Sequence, residues 1–394
     1  MSGAKSDLLL LALAYAAFVS IGLPDGLLGV AAPSILGEFG LGPPALGALL
    51  ASYTAGYLVV SLASGTILAR RGVGAVLARS CFVTGISLLG YTLAPRWAVL
   101  VACGALAGLG AGAIDAGLNT FAATRHGVRT LNWLHACYGL GTTSGPVLMG
   151  AVLAAGHSWR PGYVIVGLGQ LALAACFAAT RVRWPPAGAT AAGAGLASSL
   201  RDTLTDRTVW PGAATFFAYA GIEAATGVWS FALFTEARAV SPGLAAACVS
   251  AYWASFTLGR VVLGAIAERV AIRAFLRACV LATLAGSAIL WAAPGAIGLA
   301  GLVLIGLGCA PIFPSLMAVT PARVGPSHAA NAIGLQVCAA TIGASALPAV
   351  VGIAAARAGL EVLGPWLLAA ATLLLVLIEA SWRAGRSSDT MPSP

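Results

Sequence analysis

Residues 97–124 read WAVLVACGALAGLGAGAIDAGLNTFAAT, a run of 28 positions with one formal charge, Asp115. As an α-helix rising 1.5 Å per residue, this stretch reaches roughly 40 Å, enough to cross a hydrocarbon core of ~30 Å. Comparable segments lie near 8–35, 44–69, 75–94, 131–155, 161–181, 209–236, 243–268, 273–293, 295–320, 329–357 and 361–382, which makes twelve. Lipid cannot satisfy backbone hydrogen bonds, and none of these segments shows the alternation of a barrel strand, so each is expected to be a helix. The fold class is an all-α polytopic membrane protein.

Composition agrees. The chain has 394 residues, with 21 Lys and Arg against 12 Asp and Glu, and 59% of it is hydrophobic. Soluble domains carry charge on about a quarter of their positions. The 50 glycines and 20 prolines sit largely within apolar runs rather than polar tracts, which excludes a disordered chain. The net charge of +9 is dispersed between hydrophobic segments, so a basic face for nucleic acid is not expected. Eight cysteines fall in eight different segments with no CxxC pair, which reads as small buried side chains. No His/Cys cluster suggests a metal, and no cofactor motif or catalytic elbow suggests an enzyme. The N-terminus lacks a cleavage pattern, so the first run is expected to remain as a helix.

Sorting the basic residues by loop gives the orientation. With the N-terminus inside, cytoplasmic segments hold Lys5, Arg70, Arg71, Arg79, Arg125, Arg129, Arg181, Arg183, Arg201, Arg207, Arg269, Arg273, Arg277, Arg323, Arg383 and Arg386. Outer loops hold Arg96, Arg160, Arg238 and Arg357, and Arg260 falls within a helix. The positive-inside rule then places both termini in the cytoplasm of a cell with this protein in its plasma or inner membrane. Residues 182–208, with Pro185 and Pro186 and an Ala/Gly/Ser run, read as a cytoplasmic linker between an N-terminal bundle (1–181) and a C-terminal bundle with a short tail (209–394).

The two halves repeat each other. Gly65 and Arg70 match Gly264 and Arg269 at an offset of 199, and Gly108-Leu109-Gly110 matches Gly306-Leu307-Gly308 at 198. Asp25 with Gly29 matches Glu223 with Gly227 at 198, and Gly141 and Pro146 match Gly343 and Pro348 at 202. Duplicated bundles suit alternating access, in which one half rocks against the other.

These residues resemble the major facilitator superfamily over essentially the whole chain. The family's loop signature Gly-xxx-Asp-Arg-x-Gly-Arg-Arg corresponds to Gly65-xxx-Ala69-Arg70-Arg71-Gly72-Val73-Gly74, with the aspartate missing. In the second half Gly259-Arg260-xxx-Gly264-xxx-Glu268-Arg269 keeps an acid. The resemblance therefore implies a charge latch, with Arg70, Arg260, Glu268 and Arg269 as gating residues. Asp115-Ala-Gly-Leu-Asn119, Asn132-Trp-Leu-His135-Ala-Cys-Tyr-Gly and Gly221-Ile-Glu223 followed by Trp229 look most like the fucose-permease-type branch of sugar:proton symporters. In this superfamily the first, fourth, seventh and tenth helices line the central cavity. By resemblance, Asp25, Asp115 and Glu223 would face the substrate path.

A carboxylate at membrane depth costs a few kcal/mol, so each of these three needs a reason. A carboxylic acid in a half-dry cavity can be neutral in one state and ionised in another, as proton coupling requires. Asp25 is read as a coupling or substrate group, or else as part of a helix irregularity at Pro24-Asp25-Gly26. Asp115 is read as a coupling group or as a structural link to Asn119 one turn on. His135 titrates in the range of a gate or relay, or packs as a satisfied core histidine. Arg260 is a structural gate element, or else a binder of an anionic substrate. Asn119, Trp229 and Gln336 are the expected substrate contacts, chosen from a wider polar and aromatic set of Tyr53, Tyr57, Asn132, Trp253 and Asn331.

The leading expectation is a monomeric secondary transporter in the lipid bilayer. It moves a small polar solute, a sugar or related hydroxylated metabolite, together with protons. The alternative is a proton-coupled exporter of drugs or metabolites, because Gly141-xxx-Gly145-Pro146 is similar to part of the superfamily's exporter motif.

Overall fold

A computed structural model describes residues 2–42, 45–184, 198–293 and 297–384. Residues 185–197 of the expected linker, with Pro185 and Pro186, lie outside these, as does the expected tail from 385 onward. The described residues are helical throughout, in the order α1 (Ser2–Glu38), α2 (Leu46–Arg71), α3 (Val73–Leu93), α4 (Trp97–Arg125), α5 (Val128–Ala154), α6 (Arg160–Thr180), α7 (Leu200–Thr205), α8 (Val209–Ala232), α9 (Pro242–Ala267), α10 (Ile272–Ala292), α11 (Gly298–Cys309), α12 (Ile312–Val324), α13 (Ala329–Ala358) and α14 (Leu363–Ala384).

Eleven helical stretches among the described residues are long and apolar enough to cross a membrane. Helix α5 is not one of them, although its 27 residues reach about 40 Å. Its sequence carries Arg129, Asn132, His135, Thr142, Thr143 and Ser144, which lower its hydropathy.

Three local features depart from the expected segments. The run 295–320 is not one helix: α11 ends at Cys309 and α12 begins at Ile312. Pro311 and Pro314 have no N–H to give to the preceding turn, so the ladder breaks there. Helix α8 ends in a π-helical turn, Leu233–Ala237. The stretch read as linker contains α7, which docks on the start of α13: Thr203 Oγ1 lies 3.0 Å from His328 Nδ1 and accepts from Asn331 Nδ2 at 3.3 Å.

The chain divides into two compact units, residues 1–121 with 134–200, and residues 122–133 with 201–394. In the first, α6 packs along α1 and α3. In the second, α8 packs on α13 and α14, and α11 on α9 and α10.

The sequence repeat recurs as repeated packing. A Cβ on Gly108 would strike the Tyr53 carbonyl, and one on Gly306 would strike the Tyr252 carbonyl; Tyr53 and Tyr252 are themselves 199 apart. Likewise Gly141 meets the Val19 carbonyl and Gly343 the Phe217 carbonyl. Backbones approach this closely only where a residue lacks a side chain, the usual way of gaining packing between helices in lipid.

An ionic pin closes one end of each unit. In the first, Arg160 Nη1 and Nη2 donate to the Glu38 carboxylate at 2.8 and 2.5 Å, while Arg160 Nε donates to the Thr92 carbonyl at 2.9 Å. In the second, Arg238 Nε and Nη2 donate to the Glu361 carboxylate at 2.7 Å each, and Nη1 donates to the Ala293 carbonyl at 3.1 Å. Arg160 and Glu361 are 201 positions apart, as are Thr92 and Ala293. The geometry is kept and the charges are exchanged. Each pin ties the end of the unit's first helix to the start of its sixth and to a carbonyl at the end of its third.

Candidate functional site

The first unit gathers two of the three intramembrane acids. Pro24 lies inside α1, and its missing N–H leaves the Ser20 carbonyl without its usual partner. Gln170 of α6 supplies one, its Nε2 donating to that carbonyl at 3.3 Å and to Ser20 Oγ at 3.1 Å. Asp25 follows this irregularity and is accessible. Gly22 and Gly26 bring α1 against the α5 backbone, which sets Tyr138 beside Asp25: the Tyr138 hydroxyl donates to Asp25 Oδ2 at 2.7 Å.

Asp115 is buried on α4. Both of its oxygens accept a bond, Oδ2 from the Tyr57 hydroxyl at 2.8 Å and Oδ1 from Asn119 Nδ2 at 3.0 Å. The Asn119 carbonyl oxygen lies 3.2 Å from His135 Nε2. An amide oxygen only accepts, so with this amide orientation Nε2 carries a hydrogen. Phe18 meets the imidazole edge-on at 5.3 Å. Asp115, Asn119 and His135 thus form one buried chain from α4 to α5. Tyr53 and Tyr138 each lie within electrostatic reach of both Asp25 and Asp115, so the two carboxyl groups share neighbours.

The third acid belongs to the second unit. Glu223 of α8 is half-buried, and its backbone carbonyl accepts from the Tyr252 hydroxyl at 3.1 Å. Arg260 and Tyr219 lie within electrostatic reach of it. Arg260 is buried, stacks on Phe256 at 4.3 Å, and points Nε at the Ala310 carbonyl at 3.4 Å. That carbonyl is available because Pro314, four residues on, cannot donate to it. The guanidinium thereby serves both the helix break and the acid.

Other expected site residues are engaged elsewhere. Trp229 donates Nε1 to the Pro348 carbonyl at 2.9 Å, which joins α8 to α13. Gln336 is buried and accepts from Thr320 at 3.0 Å. Glu268 pairs with Arg129 at 3.6 Å, and Arg129 also lies over Trp133 at 5.3 Å. Arg70 and Arg269 are exposed, and no ion pair holds either among the described residues.

Sequence reasoning missed Tyr138, Tyr91 and Tyr163, the phenols around Asp25. Tyr138 stood within the quoted string beginning at Asn132, but nothing along the chain ties a tyrosine of the fifth segment to an acid of the first. Residues of α1, α2, α3, α4 and α6 enclose a small cavity beside Asp25 in this unit, lined also by Tyr53, Thr84, Tyr91 and Tyr163.

The family model of the Major Facilitator Superfamily matches residues 14–348. Among solved structures, the transporter FucP in its outward conformation superposes with a TM-score of 0.82 at 17% identity, covering 97% of this chain and 100% of that one. A bacterial homologue of the iron transporter ferroportin in an outward-facing state gives 0.78 at 13%, covering 94% and 98%. The proton:xylose symporter XylE, bound to 6-bromo-6-deoxy-D-glucose, gives 0.75 at 13%, covering 96% of each chain. At these identities the likeness is one of fold. No curated protein matches the chain in sequence.

Proposed function

The chain belongs to the Major Facilitator Superfamily, and from that premise we propose that this multi-pass secondary transporter moves a small polar solute, a sugar or related hydroxylated metabolite, coupled to protons by alternating access. The observation that carries this reading is the pair of intramembrane carboxyl groups in one unit, Asp25 and Asp115, each bonded to a tyrosine hydroxyl and both within reach of Tyr53 and Tyr138. A charge at the bilayer centre costs about 2.5–3.5 kcal/mol on insertion scales. Coupling gives both groups a reason to be there. Asp25 is accessible and can exchange a proton with the transport path, whereas Asp115 is buried and bonded through Asn119 to His135.

Glu223 with Arg260 is the corresponding group of the other half. We place Asp25 and Asp115 as the proton carriers, Asn119 as the link that lets solute or proton binding at Asp115 reach His135, and both termini in the cytoplasm. The two expected bundles, joined by the linker 182–208, would be the moving halves.

The test is transport by the purified protein in proteoliposomes under an imposed pH gradient, screened over sugars, organic acids and lipophilic cations. Accumulation of a sugar driven by an inward proton gradient supports the reading. Extrusion of a lipophilic cation in exchange for protons would support the exporter instead.

A further inference from the structure

The cavity beside Asp25 has features that solute binding leaves unused. Its interior is ≈ 40 Å³. A bound water needs only roughly 10–15 Å³, so the space admits water. Tyr163, which lines the cavity, is 1% exposed, and its hydroxyl finds no protein partner. Thr84 Oγ1 in the same wall also finds none. Its repeat mate Thr283, 199 positions on, donates to the Cys279 carbonyl at 3.0 Å.

At the corresponding positions the second half has other residues. Tyr91 corresponds to Leu290 at the offset of 199, and Tyr163 to Gly364 at 201. Trp291 packs directly against Gly364. Two buried, unpartnered hydroxyls are costly unless water satisfies them.

We propose that this cavity is an internal hydration site, in which water bound by Tyr163, Thr84 and Asp25 carries protons to and from the Asp25 carboxylate. The proposal rests on the reading of Asp25 as the coupling group. In the transfer step a hydronium in the cavity gives its proton to the carboxylate, leaving water and a neutral carboxylic acid; release is the reverse. The titratable groups facing Asp25 are Tyr53 from α2, Tyr91 from α3, Tyr138 from α5 and Tyr163 from α6. Helix α4 contributes only Ala107 and Ala111 to the wall. No cationic side chain lines the cavity, so a positively charged hydrated proton meets no repulsion there.

Two measurements on the full-length protein test this. The first is X-ray radiolytic labelling in H₂¹⁸O, in which bound water oxidises the side chains it touches. Tyr163 should take up ¹⁸O at least tenfold faster than Phe177, which is 0% exposed and outside the cavity wall; equal rates would show the cavity to be dry and overturn the proposal. The second is Tyr163→Phe, which removes one oxygen and keeps the ring. Were the hydroxyl mere packing, deleting an unpartnered polar atom would leave transport unchanged. The water path instead predicts at least a fivefold loss of gradient-driven accumulation with solute exchange intact. Asp25→Asn, run alongside, separates the two ideas. Unaltered coupling in Asp25→Asn sinks the coupling assignment together with the proton path, while lost coupling there with normal Tyr163→Phe sinks the water path alone.

Discussion

Tyr138 of α5 donates its hydroxyl to Oδ2 of Asp25 on α1 at 2.7 Å. The bond joins two helices at the point where Pro24 has already disturbed the first. The hydroxyl holds the carboxylate at a fixed place between the two helices, so the pair sets how this acid meets its surroundings. The contact exists because Gly22 and Gly26 allow the α1 and α5 backbones to meet.

Tyr138→Phe should therefore impair coupling without unfolding the protein. A hydrogen bond to a charged group contributes about 1.5–3 kcal/mol. Gradient-driven accumulation in proteoliposomes should fall by about tenfold, and Asp25→Asn should remove it while preserving exchange. Full accumulation in both variants would refute the assignment.

Asn119→Ala should be more damaging to stability than its surface-neutral size suggests. Asn119 is 0% exposed and bridges Asp115 to His135. Its loss strips a donor from a buried carboxylate and an acceptor from a buried imidazole, at about 1–3 kcal/mol for each buried bond lost. The expected result is a melting temperature several degrees lower in a thiol-dye unfolding assay, together with loss of transport. An unchanged melting temperature would mean that the chain is not formed.

The two ionic pins should differ in strength. The Arg238 side chain is 7% exposed and that of Arg160 is 34% exposed, so solvent screens the first less. Arg238→Ala should lower the melting temperature more than Arg160→Ala. Exchanging the charges, Glu38→Arg with Arg160→Glu, should recover part of the loss, since the second unit already uses the reversed polarity. Failure of both the ordering and the recovery would show the pins to be incidental.

Glycine substitutions should sort by packing rather than by helix propensity. Replacing Gly by Ala inside a helix is intrinsically worth up to ~1 kcal/mol of stability. Gly150→Ala, with nothing within 4 Å of the new carbon, should be neutral or slightly stabilising. Gly108→Ala and Gly306→Ala, which drive a methyl into the carbonyls of Tyr53 and Tyr252, should each destabilise strongly. Melting temperatures of the three variants decide it, and equal values would contradict the close helix contacts.

Much of the architecture was legible along the chain. Each segment's apolar length marked it as a helix, and the Gly108/Gly306 and Gly141/Gly343 matches pointed to a repeat that the packing now displays contact by contact. Asp25, Asp115 and Glu223 stood out because charge is scarce in such surroundings, and Asn119 followed from its spacing to Asp115. The break at Pro311 was foreshadowed by Pro311 and Pro314, although the segment was read as a single helix. Trp229 and Gln336 are expected solute contacts because a polar or aromatic residue in an apolar helix is conspicuous, and the structure adds a bond from Trp229 to Pro348 and from Thr320 to Gln336.

What the sequence by itself determined, then, were quantities that accumulate along one helix: hydropathy, charge placement, the period of the repeat and the depth of each acid. Only the tertiary structure decided that Tyr138 answers Asp25, that Arg160 and Arg238 close mirror pins of opposite polarity, and that Tyr163, its hydroxyl unpartnered, lines a cavity. The physical reason lies in the surroundings of a membrane helix. Lipid accepts any apolar face, so the pattern along a single helix leaves open which face meets which neighbour. That choice is made by close packing at residues without side chains and by buried polar groups that must find partners, and both depend on several helices at once.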